Sequence, residues 1–360
     1  MKPSTFLSLY EKLESFVLRL PAPLQQPILR EITPIKTLFL LQRPPRLVLL
    51  GANGVGKIEF VNGLFGAEML GAGEENLSDG SWQEVGRAGR GTLRILDARL
   101  PASFNMLRTA LTSEAPDLFV FLDRGVPGAE DLDHAEKVLA FAETGHRAKP
   151  KLLGVLASAA DDAGQARQEL HAALHARQAL SDRMAGTLSL ATGAEIARLA
   201  ELLAIELPGE AQLEMARLAG NRGLQEQIAK VVIKSITAIC AAIGTQPIPL
   251  ADFPILASLQ ASMVAAIMHI SGREWSPKLA GEFIAALGAN IGAGLVLRET
   301  ARAAAKFVPV WGNAISGAVA GAGTYAMGRA ASAFFIEGVS IADARNIFRR
   351  KKEKLMLKDR

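Results

Sequence analysis

The stretch "RLVLLGANGVGKIEFVNGLFG", residues 46–66, decides the fold of the first half of this 360-residue chain. An apolar run of strand length comes first, a glycine-rich segment follows it, and a helical pattern begins at residue 58. The backbone amides of such a segment can wrap phosphate oxygens, and the N-terminus of the following helix adds positive potential toward an anion. The stretch therefore predicts a strand, a phosphate-binding loop and a helix.

The loop follows most of the pattern G-x-x-x-x-G-K-[ST], in which the lysine reaches the terminal phosphates and the hydroxyl coordinates Mg²⁺. Ile58 stands at the hydroxyl position, so the metal ligand is missing. The alternative is a tight strand-to-helix turn with an exposed lysine. The predicted nucleotide-binding residues are Gly51, Asn53, Gly54, Val55, Gly56, Lys57 and Ile58.

The rest of the first half alternates between strand-like and helical patterns. Further apolar runs lie at 92–98, 117–123, 151–158 and 187–191, and helical patterns lie at 58–66, 129–143, 161–180 and 193–206. Strands without polar alternation, separated by helices, are typical of a parallel sheet covered on both faces. The predicted fold class is an α/β P-loop NTPase-like domain with a mostly parallel sheet, followed by an all-α hydrophobic domain.

The domain boundaries follow from where these patterns stop. Residues 1–45 form an N-terminal leader of two helical pieces broken by prolines, and 46–210 form the α/β domain. Beyond 210 the pattern is helical, and Asp252 is the only formal charge between 235 and 272. We assign 211–348 to a hydrophobic helical domain and 349–360 to a basic tail.

Composition narrows the chemistry. The chain has one cysteine and five histidines, and it carries a formal net charge of +4. One cysteine cannot form an internal disulfide, and no spacing of the known zinc types is present, so we expect no metal cage of protein ligands. The basic tail has no interleaved aromatic residues, which argues against a nucleic-acid partner.

Asp97 ends the apolar run beside the glycine segment. A carboxylate at a strand tip next to a phosphate loop is where a second-shell Mg²⁺ contact lies in nucleotide-hydrolysing proteins. The alternative for Asp97 is a strand-end aspartate that caps a turn.

Residues 46–206 resemble an Era-like or dynamin-like GTPase domain. "GANGVGKI" corresponds to its first motif, "DARL" to Asp-x-x-Gly, "LLGVLASAAD" to the guanine-reading motif, and "LSLATGAEIARLAELL" to the last strand, loop and helix. The resemblance implies GTP or GDP as ligand. The chain departs from the family at Ile58, at Leu100 in place of glycine, and at 157–160, where no residue can pair bidentately with guanine as a carboxylate does. Asp161 and Asp162 could substitute only if the loop shifts.

These departures predict weak or no hydrolysis and argue against Mg²⁺. The segment 67–91, where such GTPases have a first switch with a threonine, contains no threonine and has only Ser78 and Ser81 as hydroxyl residues. This argues against sensing of a γ-phosphate. Whether the protein is an enzyme stays open. The alternatives are a nucleotide-free pseudo-GTPase scaffold that acts through protein contacts, and an active NTPase with unusual metal handling.

The second half resembles the C-terminal domain of unknown function that follows GTPase domains in bacterial inner-membrane-associated proteins. "TQPIPLADFPILASLQASMVAAIM" and "VPVWGNAISGAVAGAGTYAMGRAASAFF" carry this resemblance over about 228–340. The uncharged runs 253–272 and 307–328 reach bilayer length, but core helices of a soluble bundle would have the same composition.

The tail at 349–360 holds seven Lys or Arg against two acids and suits anionic lipid. We expect a cytoplasmic protein associated with the inner membrane, with membrane lipid as a partner. The sequence identifies no protein partner.

Overall fold

The computed structural model describes residues 11, 14–15, 17–18, 22–66, 69–70, 80–87, 89–99, 102–145, 149–157, 163–245, 252–288 and 311–358. They divide into two units. One unit is Arg43–Asn221, and the other combines Met1–Gln42 with Arg222–Arg360. The division after Asn221, later than residue 210, arises because the helix Gly209–Ala219 packs on a strand of the sheet. The N-terminal segment groups with the C-terminal helices.

The unit Arg43–Asn221 is built on six strands. In chain order they are β1 Arg46–Gly51, β2 Trp82–Arg87, β3 Gly91–Asp97, β4 Leu118–Asp123, β5 Lys151–Leu156 and β6 Met184–Ser189. Their order across the sheet is β2-β3-β1-β4-β5-β6, and every pair is parallel except β2 with β3. The mostly parallel sheet with helices, followed by a helical region, agrees with the predicted α/β-then-helical order.

Seven helices of this unit lie within the described residues. Numbering starts in the other unit, whose helix α1 Ala22–Phe39 comes first in the chain. The seven helices are α2 Lys57–Phe65, α3 Phe104–Ser113, α4 Ala129–Gly145, α5 Ala163–His175, α6 Gln178–Ser181, α7 Gly193–Glu206 and α8 Gly209–Ala219. Of these, α3 was not expected, and the predicted helix 161–180 is divided into α5 and α6.

Both faces of the sheet are buried. Alternate residues of the central strands, such as Val48 and Phe119, pack with residues of α3, α4 and α5 in one core. The residues between them, such as Leu49 and Val120, are equally inaccessible to water. Since successive side chains of a strand point to opposite faces, helices cover the sheet on both sides.

The helical unit is organised around one long helix. Its described helices are α1, α9 Arg222–Gly244, α10 Asp252–Ile270, α11 Pro277–Leu287, α12 Trp311–Ser332, a π-helical turn Ala333–Glu337, and α13 Ile341–Lys358. α9 packs against α1, α10 and α12. The basic tail is mostly helical, because α13 continues through 349–358.

The described part of the N-terminal segment is helical before Leu18 and again from Ala22, as two pieces were predicted, but the second piece begins before Pro27. α1 is a single helix that contains Pro27 and Pro34. Each interior proline removes a backbone hydrogen bond, at a cost of about 3 kcal/mol. The helix persists because Ile28, Ile32 and Phe39 are buried and the helix packs on α9.

Glycines let α12 approach α9 closely. A Cβ added to Gly317 would lie 2.5 Å from Thr245 Cγ2, and one added to Gly328 would lie 2.7 Å from Ile233 Cγ1. A Cβ on Gly321 would lie 3.1 Å from Ala241 Cβ, whereas Gly323 faces open space. The small residues therefore pack helix against helix, as their spacing indicated.

Among the described residues, one helix is long and apolar enough to cross a membrane by length and composition. It is α9, and more than half of its apolar stretch is buried in the protein. The two predicted runs differ from it: 253–272 holds the shorter apolar helix Ile255–Ile270, and 307–328 begins outside the described residues. A core helix satisfies the same criterion, as the packing of α9 illustrates.

Candidate functional site: a glycine loop closed by a buried ion triad

The glycine loop, residues 51–57, joins β1 to α2 at the carboxyl ends of the parallel strands. Gly51, Gly54 and Gly56 have φ angles of 102°, 68° and 70°, which side chains rarely adopt. A Cβ on Gly51 would lie 2.1 Å from the Leu122 carbonyl oxygen, and one on Gly56 would lie 2.3 Å from Ala157 Cβ. The positive φ angle thus favours glycine at all three positions. At Gly51 and Gly56 a side chain would also clash with the ends of β4 and β5.

The predicted nucleotide-binding residues share this loop but differ in exposure. Gly51, Gly56 and Lys57 are buried, Val55 and Ile58 are partly buried, and Asn53 and Gly54 are exposed. Lys57 begins α2 and is only 1% exposed. It is not the exposed lysine of a simple strand-to-helix turn.

Lys57 meets Asp97 inside the protein. Its Nζ lies 3.3 Å from Asp97 Oδ2, and this oxygen also accepts a 2.8 Å hydrogen bond from Arg99 Nη2. Arg99 Nε donates to the other carboxylate oxygen, Oδ1, at 2.9 Å. The three side chains are almost inaccessible to water. We call Lys57, Asp97 and Arg99 the ion triad.

The ion triad carries more positive than negative charge. Two cations share one carboxylate, so one formal positive charge remains beside the loop. A buried excess charge is costly unless an anion or further hydrogen bonds compensate it. The loop amides and the start of α2 add positive potential at the same place. The arrangement is suited to a phosphate group.

Arg99 also fastens the loop. Its Nη1 donates to the Ala52 carbonyl at 3.1 Å and to the Val55 carbonyl at 2.8 Å. One guanidinium therefore links the end of β3 to the beginning and the end of the loop. Sequence reasoning quoted this residue within "DARL" but gave it no role. The available signal was an arginine two residues after a strand-end carboxylate, a spacing that allows a bidentate pair.

The residues present do not fit Mg²⁺ at this site. Ile58 has no oxygen to offer, and both Asp97 oxygens already accept hydrogen bonds from Arg99. Asp97 does lie beside the loop, as predicted, but it contacts arginine and lysine side chains. We derive no chemical step through a metal here.

The segment that carries Arg99 is held from a neighbouring helix. His134 of α4 is buried, and its Nε2 lies 2.6 Å from the Ala98 carbonyl oxygen, to which it donates. The Phe104 ring packs against this imidazole, with centroids 5.0 Å apart. His134 is therefore a positioning residue for the β3 exit, and sequence reasoning did not find it.

Two strand ends beside the loop are closed by their own turns. Asp123 Oδ1 accepts from the backbone N–H of Arg124 and of Gly125, at 2.7 and 3.0 Å. Burial, reinforced by Asp123 and Glu130, raises the pKa of Asp131 at the start of α4. After β6, Thr192 caps α7 by accepting from the Glu195 backbone N–H at 3.2 Å. The Asp123 carboxylate and the Thr192 hydroxyl therefore serve the local backbone.

Several predicted features lie outside the described residues. They are Leu100, Ser78 and the segment 158–162, which was aligned with guanine recognition. Ala157, directly before that segment, contacts the glycine loop at Gly56. Among the residues that the structure describes, no group of three or more His, Cys, Asp or Glu side chains is arranged to hold a metal ion.

Comparison with known proteins adds no family. A scan against protein-family models found no match, and a search of curated proteins found no significant one. The inference to function therefore depends on the geometry of the glycine loop and the ion triad.

Proposed function

We propose that this chain is a GTPase-like nucleotide-binding protein with weak or no hydrolysis, in which a P-loop domain is linked to a membrane-associated helical domain. The observation that carries the proposal is the ion triad beside the glycine loop, because it places two buried cations next to the loop against a single carboxylate. The order of the sheet supports it. β1 lies between β3 and β4, where the strand order reverses, and ligands of open α/β sheets bind outside the carboxyl ends at such a point.

The role of each residue follows from its contacts. The loop amides bind phosphate oxygens, and Lys57 neutralises them. Arg99 links the two ends of the loop and pairs with Asp97. Hydrolysis is weak because it requires neutralisation of developing charge and an oriented water. Without an oxygen at Ile58, the metal half of that requirement is unmet. GTP or GDP is the proposed ligand, and guanine preference follows from the resemblance alone.

A titration of the full chain with fluorescent GTP, GDP and ATP, with and without Mg²⁺, tests the proposal. We expect micromolar binding that is insensitive to Mg²⁺ and is lost in Lys57→Met. Asp97 keeps its bidentate arginine in this variant, so the fold should survive. Lys151→Met is the control, because this exposed lysine lies at the amino end of β5, whereas the loop lies at the carboxyl ends of the strands. Equal loss in both variants would contradict a role for the loop.

A second variant pair tests the metal argument. Ile58→Ser restores a hydroxyl but leaves Asp97 bound to Arg99, so we expect no gain in Mg²⁺-dependent affinity. Combining Ile58→Ser with Arg99→Ala removes the arginine from the Asp97 carboxylate and leaves Lys57 at Oδ2, and only this double variant should gain Mg²⁺-dependent affinity. A gain in Ile58→Ser alone would show that Arg99 does not block the metal.

The nucleotide-free scaffold has one observation in its favour. Lys57 is 1% exposed and already contacts Asp97, so the loop lysine has a partner within the protein. If the wild-type chain binds no nucleotide up to millimolar concentration, the scaffold is the better account. Mg²⁺-dependent turnover would instead favour an active NTPase with unusual metal handling.

We further propose that the helical unit associates with the cytoplasmic face of the inner membrane. Support comes from the apolar length of α9 and from the exposed Arg349, Arg350 and Lys354 on α13. Each basic residue near an anionic surface contributes about 1 kcal/mol. Sedimentation with phosphatidylglycerol vesicles should therefore exceed that with phosphatidylcholine alone and fall when these three residues become Gln. Equal sedimentation would contradict an electrostatic contribution.

A further inference from the structure

A pair of histidines lies on the surface of α5, outside the glycine loop and its ion triad. His171 and His175 are four residues apart, and both side chains are exposed. Residues at this spacing are neighbours on one face of a helix. Their ring centroids are 4.3 Å apart, with 60° between the ring planes. Two imidazoles are thus held side by side at the protein surface.

A hydroxyl group orients each ring. His171 Nδ1 lies 3.0 Å from Thr187 Oγ1, which belongs to β6, and His175 Nδ1 lies 2.8 Å from Ser181 Oγ, which belongs to α6. When Nδ1 carries the proton, it donates to the hydroxyl oxygen, and the Nε2 lone pair is left for another ligand. Within the described part of the chain, neither Nε2 has a hydrogen-bond partner. Metal-binding histidines are usually held by a hydrogen bond from the second ring nitrogen.

The charges around the pair permit a cation. Arg167 lies one turn before His171, and its Nη1 lies 3.7 Å from Glu195 Oε1, which offsets its charge. Asp182, beside α6, accepts a hydrogen bond from Gln178.

We propose that His171 and His175 form a two-histidine site that chelates a borderline divalent transition metal, such as Cu²⁺, Ni²⁺ or Zn²⁺, through their Nε2 atoms. Imidazole nitrogen selects these ions, whereas Mg²⁺ and Ca²⁺ require oxygen ligands. Two protein ligands leave the remaining coordination positions to water, so the site binds metal reversibly. The inference is independent of nucleotide binding.

Titration of the full chain, purified without a polyhistidine tag, with Cu²⁺ and Zn²⁺ tests the site. We expect one equivalent to bind, and a Cu²⁺ electron paramagnetic resonance spectrum with hyperfine splitting from two imidazole nitrogens. His171→Gln or His175→Gln should each weaken binding by at least about tenfold, because each removes the intramolecular second ligand. Unchanged affinity in either variant would overturn the proposal.

A register control separates the geometry from the mere number of histidines. Ala172→His combined with His175→Ala keeps two histidines on α5 but places them at adjacent positions, which face apart. This variant should bind as weakly as the single variants. Thr187→Val and Ser181→Ala remove the orienting hydroxyls and should weaken binding by about tenfold or more. Wild-type affinity in the register control would show that the chelate is not the site.

Discussion

Replacing Arg99 tests whether the ion triad holds the glycine loop together. In Arg99→Met a side chain of similar length loses its charge, its two bonds to Asp97 and its two bonds to loop carbonyls. Removing one partner of a buried ion pair costs about 3–5 kcal/mol. Asp97 retains Lys57 at 3.3 Å, so we expect the lower end of this range, about 3 kcal/mol of unfolding free energy.

The control for this experiment is Arg94, which lies on β3, the strand that ends two residues before Arg99. Arg94 pairs with Glu114 at 2.8 Å, but its side chain is 29% exposed. Exposed pairs contribute about 1 kcal/mol or less, so Arg94→Met should cost far less than Arg99→Met. Urea denaturation is the assay for both, followed at Trp82, which lies on β2 within this unit. Its signal is isolated by replacing Trp275 and Trp311, which lie in the helical unit, with Phe.

A double-mutant cycle then isolates the contact itself. Asp97→Asn leaves Lys57 and Arg99 as buried like charges, and adding Arg99→Met removes part of that repulsion. The double variant should be more stable than the sum of the single effects by about 1 kcal/mol or more, the usual coupling of residues in contact. Additive effects, or an Arg99→Met cost no larger than that of Arg94→Met, would refute the ion triad as the element that stabilises the loop.

Three further predictions concern backbone fit and buried charge. Gly56→Ala should destabilise the protein more than Gly54→Ala. Both residues have positive φ, but only at Gly56 would an added Cβ clash, at 2.3 Å from Ala157 Cβ. Equal losses of unfolding free energy in urea denaturation would show that backbone strain alone matters. Gly317→Ala should lower the melting temperature, because the added Cβ meets α9. Gly323→Ala, on the same helix but facing open space, should raise the unfolding free energy by about 0.5–1 kcal/mol. If both variants shifted stability in the same direction, the packing of α12 on α9 would be contradicted. Burial raises the pKa of Glu214, so the stability that its protonated form contributes is complete at low pH and declines as pH rises through the folded pKa. Relative to Glu214→Gln, the wild type should therefore lose unfolding free energy as pH rises above the ordinary pKa of glutamate, and parallel pH profiles would contradict this.

The sequence predicted the sheet where the apolar pattern was strong. β1, β3, β4, β5 and β6 overlap the predicted runs, because buried parallel strands are continuously apolar. β2 was missed, because "WQEVGR" is largely polar and is stabilised by its antiparallel ladder with β3. α1 begins earlier than predicted, with Pro27 inside it, because tertiary burial outweighs the local cost of a proline. These errors share a cause, since local propensity is silent about partners that are distant in the chain.

The candidate site was also predicted only in part from the sequence. The glycine loop was readable from spacing, because its chemistry is local to residues 51–57. Arg99 was overlooked, since its importance depends on carbonyl oxygens more than forty residues earlier in the chain. The spacing of His171 and His175 is visible in the sequence, but the hydroxyls that orient them come from α6 and β6. What sequence reasoning missed was the set of partners.

The residues at positions 58 and 99 have a common physical consequence. A hydroxyl at the start of α2 and a free carboxylate at the end of β3 would together bind a divalent cation beside the phosphates. This chain has an isoleucine at the first place and commits the carboxylate at the second to Arg99. The guanidinium is a permanent cation that cannot leave, and its fixed bonds to the loop remove the freedom to reorganise between ligand states. A phosphate held here meets charge that the protein itself supplies, so we infer that binding is separated from metal-dependent turnover.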